Sequence, residues 1–325
     1  LAVYYASPGR LKAWTIAVFS YVFYAWWRPD FVVLMWLSTV IDYQCGRGIT
    51  RDREREGSGK RWVVLSCAVN LGLLGYFKYA NFFLDNLERL LGTEYHVATI
   101  ILPIGISFFT FQQIAYLVDT WRNGDNGYSL RDYALFVSFF PQLIAGPIVH
   151  HRDLVPQLRS PELGRLGIDA LAAGSAVFVV GLAKKVLVAD TLGGYADPLY
   201  AAAAAGAALS SLEAWSAAVL YGLQLYFDFS GYADMAIGLG LMMGIGLPAN
   251  FDRPYRASSV RDFWRRWHIT LSAFLRDYVY IPLGGSRHGP GRTTVNLMTT
   301  MVLGGLRSEE RRVGKECRSR WSPYP

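Results

Sequence analysis

Long apolar runs alternate with short charged breaks along this chain. Residues 12–27 and 31–45 are two such runs around Arg28-Pro29-Asp30, and they predict a tight helical pair. Trp26, Trp27 and Trp36 suit the aromatic belt at a membrane–water boundary. Residues 62–84 predict a third span, because roughly 17–25 mostly apolar residues cross a bilayer. Residues 98–118 and 134–149 are apolar but interrupted by Pro103, Pro141 and Pro147, so they predict broken or re-entrant helices. Further spans are predicted at 168–190, 211–227, 232–247 and from 293 onward. The last of these, Thr293 to Leu306, is short for a crossing.

The polar breaks give an orientation. The segment 46–61 reads as a loop with six basic residues, and the stretch 251–292 holds eight. Both are expected on the cytoplasmic side, where loops collect Lys and Arg. Ala201–Ala205 reads as a loop or helix end. Composition agrees with a membrane protein: 52% of the residues are hydrophobic and only 18% charged, against about 25% charged in soluble domains. The net charge of +7 is carried between apolar runs rather than on one soluble face, which argues against nucleic-acid binding. Cys45, Cys67 and Cys317 show neither a disulfide framework nor metal-ligand spacing. Leu1 stands where a Met would begin a chain, and the first apolar run lacks the cleavage site of a secretory signal. Residues 1–306 are expected to form one transmembrane domain, and 307–325 a foreign or disordered tail.

Four segments carry candidate chemistry. If residues 261–276 are one helix, Arg261, Arg265, His268 and Ser272 fall within about 60° of one another. That is a basic, histidine-bearing face, with Trp264 beside it. It can meet lipid phosphates, or it can wall a polar passage for an anionic thioester. Asp228 and Asp234 lie in an apolar stretch, where carboxylates are paired or functional. They stand about 120° apart on a helix, so they are no facing acid pair. Gln224, Asp228 and Tyr232 share a face at four-residue spacing, with Arg261 or Arg265 as expected partners for the carboxylates. The block Leu102–Gln113, running on to Tyr116 and Asp119, lacks the turn of a serine nucleophile at Ser107 and reads as packing surface. The Phe139–His151 block, with two prolines and Gly146, reads as a loop bordering a cavity rather than as a metal site at His150-His151.

Ordered blocks then carry a family resemblance. Tyr226–Gly238, Asn250–Tyr255, Phe263–Ser272 and Leu275–Ser286, with Leu102–Gln113 and Phe139–Pro147 upstream, resemble bacterial membrane-bound O-acyltransferases. The branch that acetylates alginate is the nearest, marked by Tyr280-Ile281-Pro282-Leu283-Gly284-Gly285-Ser286. The resemblance implies an all-α, multi-pass protein of the bacterial cytoplasmic (inner) membrane, with broken or re-entrant helices around a central funnel or tunnel. It implies an acetyl-CoA or other acyl thioester donor, no bound cofactor, and an extracytoplasmic polysaccharide acceptor. A membrane-anchored or extracytoplasmic acetyltransferase partner is expected. His268 would be the supporting histidine, and Arg261, Trp264, Arg265, Ser272, Asp228, Gln224 and Tyr232 would meet substrate. Arg265, His268 and Asp228 are expected to share one wet cavity. The sequence departs from the family at Leu306-Arg307-Ser308, where a Leu-Trp-His-Gly segment is expected, so this chain is expected to be inactive by itself. A peptidoglycan acetyltransferase, a D-alanyl transferase to teichoic acid, a transporter and a non-catalytic scaffold are the competing readings.

Overall fold

A computed structural model describes residues 1–92, 100–124, 127–165 and 167–307, and among these residues only helices, turns and irregular segments occur. The all-α expectation holds. In chain order the helices are α1 (Ala2–Ala6), α2 (Gly9–Trp27), α3 (Asp30–Glu54), α4 (Lys60–Leu91), α5 (Ile106–Asn123), α6 (Leu130–Ser138), α7 (Phe140–Leu143), α8 (His151–Arg159) and α9 (Ile168–Ala183). A π-helical stretch, Lys184–Ala189, joins α9 to α10 (Asp190–Ala204). There follow α11 (Ser211–Met242), α12 (Val260–Arg266), α13 (Ile269–Leu275), a π turn at Arg276–Tyr280, and α14 (Gly289–Arg307). The expected tail from Ser308 on, with Cys317, lies outside the described residues.

Several boundaries differ from the sequence expectation. The spans expected at 211–227 and 232–247 are the single helix α11. The polar cluster Asp228–Ser230 lowers local hydropathy without interrupting the backbone, because the Asp228 charge finds a partner in Lys185 on the neighbouring π-helical stretch. Ser210 caps α11, accepting from the Glu213 amide, and Glu213 returns the bond in a capping box. The segment 46–61 is not a loop throughout: α3 continues to Glu54, and charged residues hold helix as well as apolar ones do. The last helix begins at Gly289 rather than Thr293, reaching 19 residues, because Pro290 suits a first helical turn. Residues 168–190 run on to Ala204 through the π stretch. The proline-bearing blocks break as expected: α5 starts only after Pro103, and α6 and α7 are separated before an irregular segment to His150. Two helical stretches, Lys60–Leu91 and Ile168–Ala204, are long and apolar enough to cross a membrane by length and composition.

The chain divides into two compact units. The first comprises residues 1–16 and 145–270. Its frame is α9 packed antiparallel on α11 over paired glycines. A Cβ on Gly174 would stand 2.7 Å from the Gly238 carbonyl oxygen, and one on Gly181 2.6 Å from that of Gly231. The seven-residue spacing in both helices keeps these glycines on one seam, so the backbones approach closely. Tyr4 donates from its hydroxyl to the Met243 carbonyl at 2.8 Å, fastening α1 beyond the end of α11.

The second unit comprises residues 17–144 and the chain from Leu271. Here polar side chains replace glycines as the link. Ser66 and Asn70 on α4 donate to the buried Asp42 carboxylate on α3 at 2.5 and 2.7 Å. Such bonds satisfy groups that apolar surroundings would otherwise leave costly. Arg61 grips Asp52 with two bonds of 2.9 and 2.8 Å at the polar end of the same pair. Helix α5 is buried along most of its length.

The glycine seam yields a stability test. Replacing Gly238 by Leu places side-chain atoms against the Gly174 oxygen and the Phe178 backbone, 2.6 Å from its Cβ position, which cannot retreat without parting the helices. We expect little or no folded protein, a loss above about 3 kcal/mol. Gly194→Ala, where a Cβ meets nothing within 4 Å, should leave the melting temperature in detergent unchanged or higher. Equal melting temperatures for G238L and the parent would refute the seam.

Candidate functional site

The site in the first unit is built on a helix break. The expected continuous helix 261–276 does not form. Trp267 is extended (φ −98°, ψ 124°), and His268 takes the left-handed conformation at φ 44° before α13 begins. A non-glycine residue there costs of the order of 1–3 kcal/mol and needs support from its surroundings. The segment Asn250–Asp252 supplies it. The Asp252 amide donates to the Arg266 carbonyl at 3.0 Å, and the Ile269 amide to the Asn250 carbonyl at 2.9 Å. The two strands of chain thus strap the break from both sides.

Side chains lock the same point. His268 is 7% exposed and Asn250 1%. His268 Nδ1 lies 3.1 Å from Asn250 Oδ1. That oxygen also accepts from the Thr270 amide at 3.3 Å and the Thr270 hydroxyl at 2.9 Å. Thr270 Oγ1 in turn accepts from the Ile148 amide at 3.0 Å. Phe229 meets the imidazole edge to face at 4.8 Å, and Phe251 lies near parallel to it at 6.4 Å. Tyr226, Tyr255, Phe263 and Trp267 continue this aromatic wall. Burial pushes the Tyr255 hydroxyl above its ordinary value, and the neighbouring Tyr226 adds to the rise.

The break separates the residues that the single-helix reading had gathered. Arg261 and Arg265 stay on the exposed side of α12, with Trp264 38% exposed between them. His268 turns inward. Ser272 sits half-buried, one turn into α13. Arg266, which the sequence reading passed over, bonds Asp262 at 3.0 Å and approaches Asp252 at 3.5 Å. Its guanidinium holds the Asp262 carboxyl below the usual range, helped by the Ser258 amide. The expected common wall of Arg265, His268 and Asp228 is therefore not formed by contacts among the three.

Asp228 belongs to a second polar group. Lys185 reaches it at 2.6 Å and Asp190 at 2.9 Å, and Lys184 pairs with Asp234 at 2.5 Å. The partners expected from sequence, Arg261 and Arg265, are replaced by two adjacent lysines. The π-helical stretch that carries them adds a residue to the turn, a feature common at functional sites. Lys184-Lys185 within the apolar run 168–190 was the overlooked signal: such charges need carboxylates nearby. Gln224 precedes Asp228 by one turn on α11, and Tyr232 follows by one. Phe229, next to Asp228, is what joins α11 to the histidine. Among the described residues, no three His, Cys, Asp or Glu side chains assemble as a metal-ligand set.

A model of the membrane-bound O-acyltransferase family matches residues 125–306. A probable alginate O-acetylase, AlgI, of Pseudomonas aeruginosa is 47% identical over 312 residues, covering 94% of this chain and 58% of that relative. The same-named protein of Azotobacter vinelandii is also 47% identical, over 94% of this chain and 61% of its own length. A peptidoglycan O-acetyltransferase of Helicobacter pylori is 41% identical, over 94% of this chain and 62% of its own. The chain thus spans about three fifths of the length of these relatives.

The lysine–carboxylate group predicts a double-mutant result. Lys184→Met leaves Asp234 without its ion-pair partner among apolar helices and should cost about 2–3 kcal/mol. Lys184→Met combined with Asp234→Leu should recover more than half of that loss. Thermal unfolding in detergent measures both. Additive losses would show that the pair is not coupled.

Proposed function

The chain belongs to the membrane-bound O-acyltransferase family, and on that footing we propose that it forms the donor-handling part of an enzyme that O-acetylates alginate outside the cytoplasmic membrane. The observation that carries this reading is likeness to probable alginate O-acetylases across 94% of the chain. The protein is membrane-embedded. We place it as a multi-pass protein of the bacterial inner membrane, with the arginine-rich segments toward the cytoplasm.

In this reading the exposed patch of Arg261, Trp264 and Arg265 receives the phosphates of an acetyl-CoA-like donor. Guanidinium groups suit them through planar, permanently charged donors. The buried His268 acts beside the reacting carbonyl. The thioester C–S bond breaks and a C–O bond to the acceptor hydroxyl forms. The hydroxyl proton passes to a histidine base and on to the departing thiolate. His268 is the supporting histidine, the other being expected where Leu306-Arg307-Ser308 now stands. Gln224, Asp228 and Tyr232 line the acceptor's route, and Asp228 is held in place by Lys185. A membrane-anchored or extracytoplasmic acetyltransferase completes delivery to the polymer. Peptidoglycan is the second acceptor to consider, because the Helicobacter pylori relative is a peptidoglycan O-acetyltransferase.

The test is a chimaera. Residues 1–305 are continued with the remainder of the Pseudomonas aeruginosa relative and expressed in a strain that lacks its own alginate acetylase. We expect base-labile acetate on alginate from the chimaera and none from the 325-residue chain alone. His268→Ala in the chimaera should lower acetylation by about 100-fold or more. A membrane-inserted chimaera that acetylates peptidoglycan but not alginate would overturn the acceptor assignment. Full activity of the H268A chimaera would remove His268 from the chemistry.

A further inference from the structure

The hydrogen bonds around His268 converge on one atom. The Thr270 backbone N–H can only donate, and it lies 3.3 Å from the Asn250 side chain, so the group it meets there is the carbonyl oxygen of the amide. The Thr270 hydroxyl, 2.9 Å from the same oxygen, donates to it as well and accepts from the Ile148 backbone N–H at 3.0 Å. A flipped amide would set its NH2 against the Thr270 backbone N–H. The orientation of the amide thus rests on that one backbone N–H, whose role cannot change.

One atom remains to be assigned. His268 Nδ1 lies 3.1 Å from that carbonyl oxygen, an atom that cannot donate. Nδ1 must therefore carry the hydrogen. In a neutral imidazole the basic lone pair then resides on Nε2. We infer that Asn250 is a positioning residue: with Thr270 it holds His268 in the Nδ1-protonated tautomer and aims Nε2 as the proton-accepting nitrogen. The left-handed backbone at His268 serves the same end, since it brings the ring onto Asn250 rather than along α12. Phe229 and Phe251 limit rotation of the ring about its own bond. Nearly complete burial of Asn250 keeps bulk water from competing for its oxygen. The functional meaning of this tautomer rests on the proposed role of His268 as the supporting histidine beside the reacting carbonyl.

The test reads the tautomer directly. The chain is labelled with ¹⁵N,¹³C-histidine, placed in lipid nanodiscs at alkaline pH, and examined by NMR, with His268 assigned by its loss in His268→Gln. The expected spectrum has a protonated Nδ1 and a bare Nε2. Asn250→Ala should move most of the population to the Nε2-protonated form. Asn250→Asp keeps an acceptor and adds negative charge, so Nδ1 should stay protonated while the titration midpoint rises by about one unit or more. A parent spectrum with the proton on Nε2 would overturn the inference. So would an unchanged tautomer in a folded N250A protein, or an unshifted midpoint in N250D should N250A fail to fold. Acetyl transfer is then measured on the same substitutions in the chimaera. A drop of about tenfold or more in N250A, with N250D retaining activity, ties the tautomer to the reaction. A tautomer switch without loss of transfer leaves the positioning intact and shows that acyl transfer does not depend on the His268 tautomer.

Discussion

A polar group in an apolar helical bundle must find its partner inside the protein, and the first unit is organised around that demand. Lys184, Lys185, Asp228 and Asp234 could not occupy long apolar helices as isolated charges. They pair because α9 and α11 come close, and the helices come close because Gly174, Gly181, Gly231 and Gly238 leave backbone against backbone. The π-helical stretch then turns two consecutive lysines toward carboxylates six residues apart. Sequence, packing and electrostatics depend on one another here: bulk on the seam would part the charges, and unpaired charges would oppose the seam.

The histidine obeys the same demand by a different device. A left-handed, non-glycine residue at a helix break exposes backbone donors and acceptors that a continuous helix would satisfy. Asn250–Asp252 satisfies them with two backbone bonds, and the Asn250 side chain holds the ring. The strain is local and the support comes from about 18 residues earlier in the chain. This is how a rigid scaffold gives one side chain a conformation it would not choose alone. It also explains why the arginines of α12 and the histidine beyond it separate into an exposed face and a buried point. The break turns the chain between Arg266 and Ile269, so spacing no longer predicts direction.

Much of the fold was legible in the sequence because apolar runs and prolines report directly on helix existence and interruption. The helices at the start, the broken proline blocks and the family likeness were all readable. What failed was reading charge as a boundary. Asp228–Ser230 looked like a gap between two spans and proved to be the middle of α11. Arg47–Glu54 looked like a loop and proved to be the end of α3. Hydropathy averages cannot see a partner on another helix, and it is the partner that makes a charged residue compatible with an unbroken one. The candidate site was legible in part. His268, Asp228 and the arginines were picked out by type, but their grouping assumed one regular helix. Asn250 was visible only as part of a motif, because its importance lies in three bonds to residues 18 and 20 positions away.

The separation of exposed arginines from a buried histidine fits the chemistry proposed for them. An anionic donor is best met where its charge remains partly solvated, since stripping phosphates of water costs several kcal/mol that surface guanidiniums need not supply. Proton transfer has the opposite need. A base works best with its protonation site fixed and competing water excluded, so that its lone pair is aimed before substrate arrives. A single amphipathic helix cannot offer both settings along one face. The break at Trp267-His268 divides them, with Arg261 and Arg265 left at the surface and the imidazole placed among Phe229, Phe251 and Asn250. The conformational cost at His268 is thus the physical origin of two environments within eight residues of sequence.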